Sequence, residues 1–325
     1  MRERKVPVDD LSVESRAGLG ASSLARFAPL DWIVLAYTVW VMVLVSLAFG
    51  NVPHAGRILA FHAAVAAVIA LLPARGAPWE TSRPGEKRGR RYLRGGLRFF
   101  RYSYPLLLIL FFFEEVQYTV NAFSPGAPHW FERTLYAWDR FLFGELPSVL
   151  LNPFVGPVQD EILHGFYLSY YFILIGGVVI AWLGDEGKHP GRAFHTTLTA
   201  AITAFFLCFV FYPFLPARGP WENAELMATL TPFQGFVFTP LIEAIIERGA
   251  VSGGCFPSSH VGGSFGIVLG LLPFHRRPAL ILLFFALGMS AACIYTRYHH
   301  GFDVPAGILA GLAGAAVAHR LRRRE

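Results

Sequence analysis

A chain of 325 residues that is 54% hydrophobic, 15% aromatic and 15% charged, with mean hydropathy +0.46, carries too little charge for a soluble domain, in which about a quarter of residues are charged. The net charge of +6 does not point to nucleic acid, because the basic residues cluster beside apolar runs, as membrane topology requires. Three cysteines, Cys208, Cys255 and Cys293, two of them inside apolar runs, imply neither a disulfide framework nor a zinc pattern.

Residues 1–27 are polar, small and basic, and are expected to form a poorly ordered cytoplasmic tail rather than a cleavable signal peptide. Apolar runs follow at 32–49 and 58–72, joined by a Gly50-Asn51-Val52-Pro53 turn. The second is marginal against the ~20 residues that a span needs. Residues 74–102 hold nine Lys/Arg, so this loop is expected on the cytoplasmic side, with Leu93, Leu97, Phe99 and Phe100 forming an amphipathic stretch on the headgroups. A third run, 104–120, carries Glu114 and Glu115 near its outer end. Carboxylates there are costly unless they face a cavity or the interface, so they either line an entrance or mark the helix end.

Residues 122–162 form a long outer segment in which Trp130, Phe131, Leu135, Trp138 and Phe141 recur at near-helical spacing, with Glu132, Arg133, Asp139 and Arg140 between them. This spacing predicts a helix lying in the interface. Runs at 166–183 and 196–215 follow, joined by an inner turn at 185–192. A second outer loop, 221–255, has an amphipathic stretch at 236–247.

The most informative stretch is 252–310. Phe256-Pro257-Ser258-Ser259-His260 and Thr296-Arg297-Tyr298-His299-His300-Gly301-Phe302-Asp303 lie at the two ends of an apolar hairpin that turns at His275-Arg276-Arg277-Pro278. A hairpin returns both polar clusters to one side of the membrane, within reach of each other. Two imidazoles, a carboxylate and a guanidinium suit phosphoryl transfer. His299, orientated by Asp303 four residues on, is the candidate nucleophile, and His260 the candidate general acid. Ser258 and Ser259, with the amides of the helix start they precede, offer anion-binding donors. Arg297 and Arg218 are the candidate phosphate clamps. His300 reads as a bystander and Cys255 as an unpaired small residue. A metal site built from His260, His299, His300 and Asp303 is the rival chemistry. A final run at 304–318 and the basic end Arg320-Leu321-Arg322-Arg323-Arg324 complete about eight spans.

Pro257-Ser258-Ser259-His260 resembles the second signature, P-S-x-H, of the type 2 phosphatidic acid phosphatase superfamily. Arg297-Tyr298-His299 followed by Asp303 resembles its third. The resemblance is concentrated between residues 211 and 311. It implies metal-independent covalent catalysis with no cofactor, and a fold with a six-helix catalytic core. The chain departs from the family where the first signature's lysine is replaced by Phe211, and where the third signature's usual arginine position is held by Cys293. Both departures resemble the inositol phosphorylceramide synthase-like branch.

The chain therefore reads as an all-α polytopic membrane helix bundle. It divides into a tail (1–27), two N-terminal spans with the basic loop (28–102) and a catalytic domain (103–325). The expected activity is hydrolysis of a lipid phosphate or pyrophosphate through a phosphohistidine. The alternative is transfer of a phospho-headgroup to an alcohol acceptor such as a polyol, and a non-enzymatic scaffold ranks last. The expected partners are a membrane lipid substrate and the bilayer, with no nucleic acid. Basic ends and an even span count put both termini in the cytoplasm and the site on the outer face. The Ala-, Gly- and Arg-rich composition points to a bacterial inner membrane, where that face is periplasmic.

Overall fold

The computed structural model describes residues 27–72, 87–124, 129–185 and 191–323. The N-terminal tail, part of the basic loop and part of the inner turn lie outside them. Thirteen α-helices make up the described fold: α1 (Pro29–Leu47), α2 (Ala55–Leu71), α3 (Arg88–Glu114), α4 (Val116–Thr119), α5 (Glu132–Phe143), α6 (Pro147–Leu150), α7 (Pro157–Gly184), α8 (Arg192–Phe211), α9 (Ala224–Met227), α10 (Phe238–Gly249), α11 (Ser259–Leu271), α12 (Arg276–Tyr295) and α13 (Asp303–Arg323). No strand occurs among the described residues, only one bridge between Ala217 and Gly254. Six of these helices, α1, α3, α7, α8, α12 and α13, are long and apolar enough to cross a membrane. The shorter apolar helices α2 and α11 account for the other two of the eight apolar runs, below that length.

The bundle is built around α8, the most enclosed of the long helices. It packs against α11 and α13, and these three interlock through small residues. A Cβ on Gly314 would lie 2.3 Å from the Ala200 carbonyl oxygen, and one on Gly266 2.8 Å from the Ala201 Cα. Only hydrogen allows these backbones to approach so closely, and close approach replaces the hydrophobic driving force that lipid does not supply between helices. Outward-facing Leu47, Leu71, Leu110, Phe172, Phe284 and Leu309 are more than half exposed, as bilayer-facing positions require.

At ~1.5 Å per residue α11 is ~20 Å long, short of the ~30 Å hydrocarbon core, so one of its ends has to lie within the bundle. Its N-terminus, with Ser258, Ser259 and Val261 all buried, is such an end. The C-terminal ends of α8 and α12 and the N-terminal ends of α7, α11 and α13 gather there. At the opposite end His275 meets Gly184, and Arg322 lies over Phe274 at 5.1 Å.

The arginine-rich amphipathic stretch, read from sequence as part of a loop, is helical from Arg88 and runs through Pro105 into the third apolar run as the single helix α3. A buried ion pair anchors it, Arg101 donating to Asp31 of α1 at 2.7 and 3.1 Å, with the Tyr104 hydroxyl donating to the same carboxylate at 3.0 Å. Glu115, next to the end of α3, turns inward to His62 of α2 at 2.8 Å, while Glu114 stays exposed. The outer aromatic segment does contain the expected helix, α5, but its acidic residues Glu132 and Asp139 are buried.

Candidate active site

The turn between α12 and α13 is shaped by Arg297, whose φ of 67° is left-handed. That reversal lets the His299 amide donate to the Cys293 carbonyl at 3.0 Å, closing the end of α12. Asp303 then begins α13 and is fully buried. Its Oδ2 accepts from the His300 amide at 2.8 Å and lies 3.1 Å from His299 Nδ1. With Nδ1–H directed at Asp303, Nε2 is the free basic nitrogen of the ring. The Ser258 hydroxyl, 3.2 Å away, donates to it.

Ser258 is also the N-cap of α11, accepting from the Val261 amide at 3.4 Å, so one residue joins the helix start to the imidazole. The Ser258 amide donates to the Asp303 carbonyl at 3.2 Å, which fixes the starts of α11 and α13 to each other. Phe256–Pro257 is cis, and the Tyr212 hydroxyl donates to the Pro257 carbonyl at 3.0 Å.

His260, one residue into α11, stands edge-on to His299 with ring centroids 5.8 Å apart. Tyr170 and Tyr167 flank it at 4.5 and 5.5 Å, and its Nδ1 has no hydrogen-bond partner among the described residues. His299, His260, Ser259 and Cys255 open onto one cavity of about 220 Å³, whose apolar side comes from α3, α8 and α10.

The two arginines are placed differently. The Arg218 guanidinium is paired with Glu132 of α5 at 2.5 Å and lies over the Trp130 ring at 4.5 Å. Arg297 donates to the Thr231 carbonyl at 2.8 Å and to Asn152 at 3.2 Å, over the Phe233 ring at 4.3 Å. Neither side chain lines the cavity. Both hold down the loops that wall it. His300 is tied by Nε2–H to the Arg218 carbonyl at 2.9 Å.

Several functional neighbours were not legible beforehand. Cys255 donates its S–H to Asp303 Oδ2 at 2.8 Å and lies 3.4 Å from His299 Nδ1. Its Sγ, His299 Nδ1 and Asp303 Oδ2 all lie within 4.8 Å of one another, a donor set of the kind that could also hold a soft divalent cation. Burial and the Asp303 charge push the Cys255 thiol well above the usual thiol range, so the S–H is kept. Asp139 of α5 accepts from the Gly301 and Phe302 amides at 3.0 and 3.1 Å, holding the loop between His299 and Asp303. Asp160 and Glu161, at the start of α7, organise the second outer loop. Asp160 accepts from the Gln234 amide at 2.6 Å and the Tyr295 hydroxyl at 2.5 Å, and Glu161 accepts from the amides of Phe236, Val237 and Phe238 at the start of α10. The only prior signal was spacing: Glu132, Leu135 and Asp139 fall on one face of a helix.

The described residues thus form an all-α bundle of membrane type, with a recessed Ser–His–Asp chain and a second imidazole beside it. The model of the PAP2 superfamily matches residues 133–317, more than half of the chain, and the chain belongs to that superfamily. It is also similar, at 27% identity over 181 residues, to a PA-phosphatase related-family protein of Dictyostelium discoideum. The match covers 50% of this chain and 32% of that protein, so the chain spans about a third of its relative's length. No solved structure matches.

Proposed function

We propose that the protein is a metal-independent lipid phosphatase whose His299 attacks a lipid-linked phosphorus and carries it as a phosphohistidine. The observation behind this reading is the Ser258–His299–Asp303 chain, with the His260 ring 5.8 Å from His299. Asp303 holds Nδ1–H and stabilises the positive charge that develops as Nε2 bonds to phosphorus. The P–O bond to the lipid breaks, and the departing oxygen takes a proton from His260. Water then attacks phosphorus, giving its proton back to His260 and releasing His299.

Phosphate oxygens meet the Ser258 and Ser259 donors and the first-turn amides of α11, where the helix dipole favours an anion. Arg218 and Arg297 act from behind, by fixing the loops. By the positive-inside rule, the basic ends at 276–277 and 320–323 lie on the cytoplasmic side. This puts the site on the outer face, periplasmic in a bacterium.

A second reading replaces water by an alcohol. Its support is that both guanidinium groups lie off the cavity, an arrangement unlike a site built to clamp a phosphate dianion.

The test is product release from a panel of lipid phosphates, pyrophosphates and phosphodiesters in detergent containing EDTA, beside His299→Ala. Release by the wild type, an acid-labile phosphoenzyme and loss of both in the variant are expected. Release that appears only when a polyol is added selects the transferase. Release that survives in His299→Ala, or that EDTA abolishes, overturns the reading.

A further inference from the structure

The charges around the cavity are unusual for a site that receives phosphate. Among the described residues no lysine or arginine lines it, its basic side chains are the imidazoles of His260 and His299, and Glu222 adds a carboxylate. Glu222 is held in place: Oε1 accepts from the Gly219 amide at 3.0 Å and Oε2 from the Ser252 hydroxyl at 2.6 Å. The Arg218 guanidinium, whose charge also reaches Glu222, is hydrogen-bonded to Glu132 and leaves the cavity itself without a cation from that side chain.

Two rings stand with this carboxylate at the polar end of the cavity. Trp221 is adjacent in the chain and meets Tyr298 edge-on at 6.3 Å, and Tyr298 in turn contacts Tyr167 at 5.0 Å. The placement is rigid, since the Trp221 amide donates to the Arg297 carbonyl at 3.0 Å. Tyr298 directly precedes the nucleophile. The other end of the cavity, with Ile109, Phe113, Phe205, Phe209, Ile245 and Ile246, is apolar.

We propose that Glu222, with Trp221 and Tyr298, selects lipids whose phosphate headgroup carries an alkylammonium, as in choline or ethanolamine phosphodiesters. The inference rests on the phosphohistidine reading of His299 and names its substrate. A phosphate monoester would bring a dianion beside Glu222 with only imidazoles to offset it. A zwitterionic diester brings one negative charge to the helix start and one positive charge to the carboxylate and the aromatic faces, which attract a quaternary or primary ammonium.

The tails lie along the apolar end. His299 Nε2 bonds to phosphorus, the bond to the glycerol oxygen breaks, and that oxygen takes the His260 proton. The ammonium-bearing phosphate stays on the enzyme until water or an alcohol takes it. Burial holds the Glu222 carboxyl above its usual range, an effect only partly offset by the Ser252 and Gly219 bonds and the Arg218 charge.

The experiment compares diacyl lipids with identical tails and choline, ethanolamine, inositol or no headgroup, on the wild type, Glu222→Gln and Trp221→Leu. Turnover is followed as diacylglycerol release, and binding is measured separately with radiolabelled lipid on His299→Ala and His299→Ala/Glu222→Gln. Expected are a kcat/KM at least tenfold higher for the choline and ethanolamine lipids than for the other two, and collapse of that preference in both single variants, carried by KM. A preference for phosphatidate or the inositol lipid overturns the proposal. So does a Glu222→Gln variant that keeps the preference or slows every lipid equally, the latter marking a role in the chemical step. If no lipid is turned over with or without an added alcohol, the phosphohistidine reading has failed, and binding decides: tighter binding of the choline lipid, lost with Glu222→Gln, sustains the headgroup site, and equal binding of all lipids overturns it.

Discussion

Cys255 Sγ lies 2.8 Å from Asp303 Oδ2, the same carboxylate oxygen that faces His299 Nδ1 at 3.1 Å. Thiol and imidazole therefore share one acceptor, and both are buried. Because burial and the Asp303 charge keep the thiol protonated, and because the thiolate is the nucleophile in alkylation, Cys255 is expected to be a poor target at neutral pH. Mass-spectrometric rates of iodoacetamide labelling at pH 7 should be at least tenfold slower for Cys255 than for a free thiol. A rate equal to the free thiol's would show that the S–H is not held by Asp303.

His260 can be tested through the leaving group. If it protonates a departing alkoxide, His260→Ala should lower kcat on an alkyl phosphate by ~10²–10⁴-fold. The loss should be far smaller on a p-nitrophenyl ester, whose phenolate leaves without a proton. His299→Ala should abolish both, since no nitrogen remains to bond phosphorus. Equal losses on the two esters in His260→Ala would assign His260 to binding rather than acid catalysis.

Asp139 ties α5 to the loop that carries the nucleophile. Asp139→Ala leaves the Gly301 and Phe302 amides without their acceptor, a loss of ~1–3 kcal/mol for each buried group. Asp139→Asn keeps one acceptor oxygen and should cost less. Burial raises the Asp139 carboxyl above its usual range, an effect only partly offset by the two amides and His300. The folded state then holds this proton more tightly than the unfolded chain. The resulting stabilisation is present below the usual carboxylate range, near pH ~4, and is lost as pH rises through the folded value. Thermal unfolding in detergent between these limits should show wild type declining with pH more steeply than Asp139→Asn. Parallel profiles would show that Asp139 does not titrate in this window.

The His62–Glu115 pair lies between α2 and the end of α3, with the His62 ring stacked on Phe112 at 5.1 Å. Removing one partner leaves the other uncompensated, a loss of ~3–5 kcal/mol for a buried pair. His62→Leu and Glu115→Leu should each destabilise strongly, and the double variant should be more stable than either. Additive losses in the double-mutant cycle would mean that the two side chains do not interact energetically.

The membrane bundle, the hairpin at 259–295 and the residues that carry His299, Asp303, His260 and Ser258 were legible in order and spacing. The reasons are local: apolar length sets the number of spans, Pro257-Ser258-Ser259 starts a helix, and four residues separate the imidazole from its carboxylate. Glu132 and Asp139 were legible as a helical face but not as a buried one, because burial depends on what α5 packs against. Arg218 and Arg297 show the same limit. Composition marks them as the available cations near the motifs, yet where a guanidinium points is settled by partners distant in the chain, here Glu132, Asn152 and Thr231.

Cys255 and Glu222 reach the cavity only through tertiary packing. Cys255 meets Asp303 because the starts of α11 and α13 are bonded to each other, and Glu222 joins Tyr298 in the cavity lining because the Trp221 amide beside it is bonded to Arg297. Periodicity and hydrophobic length act along the chain and determined the helices and the motif ends. The choice of partner for each buried charge depends on which helices meet, and only the folded bundle decided it.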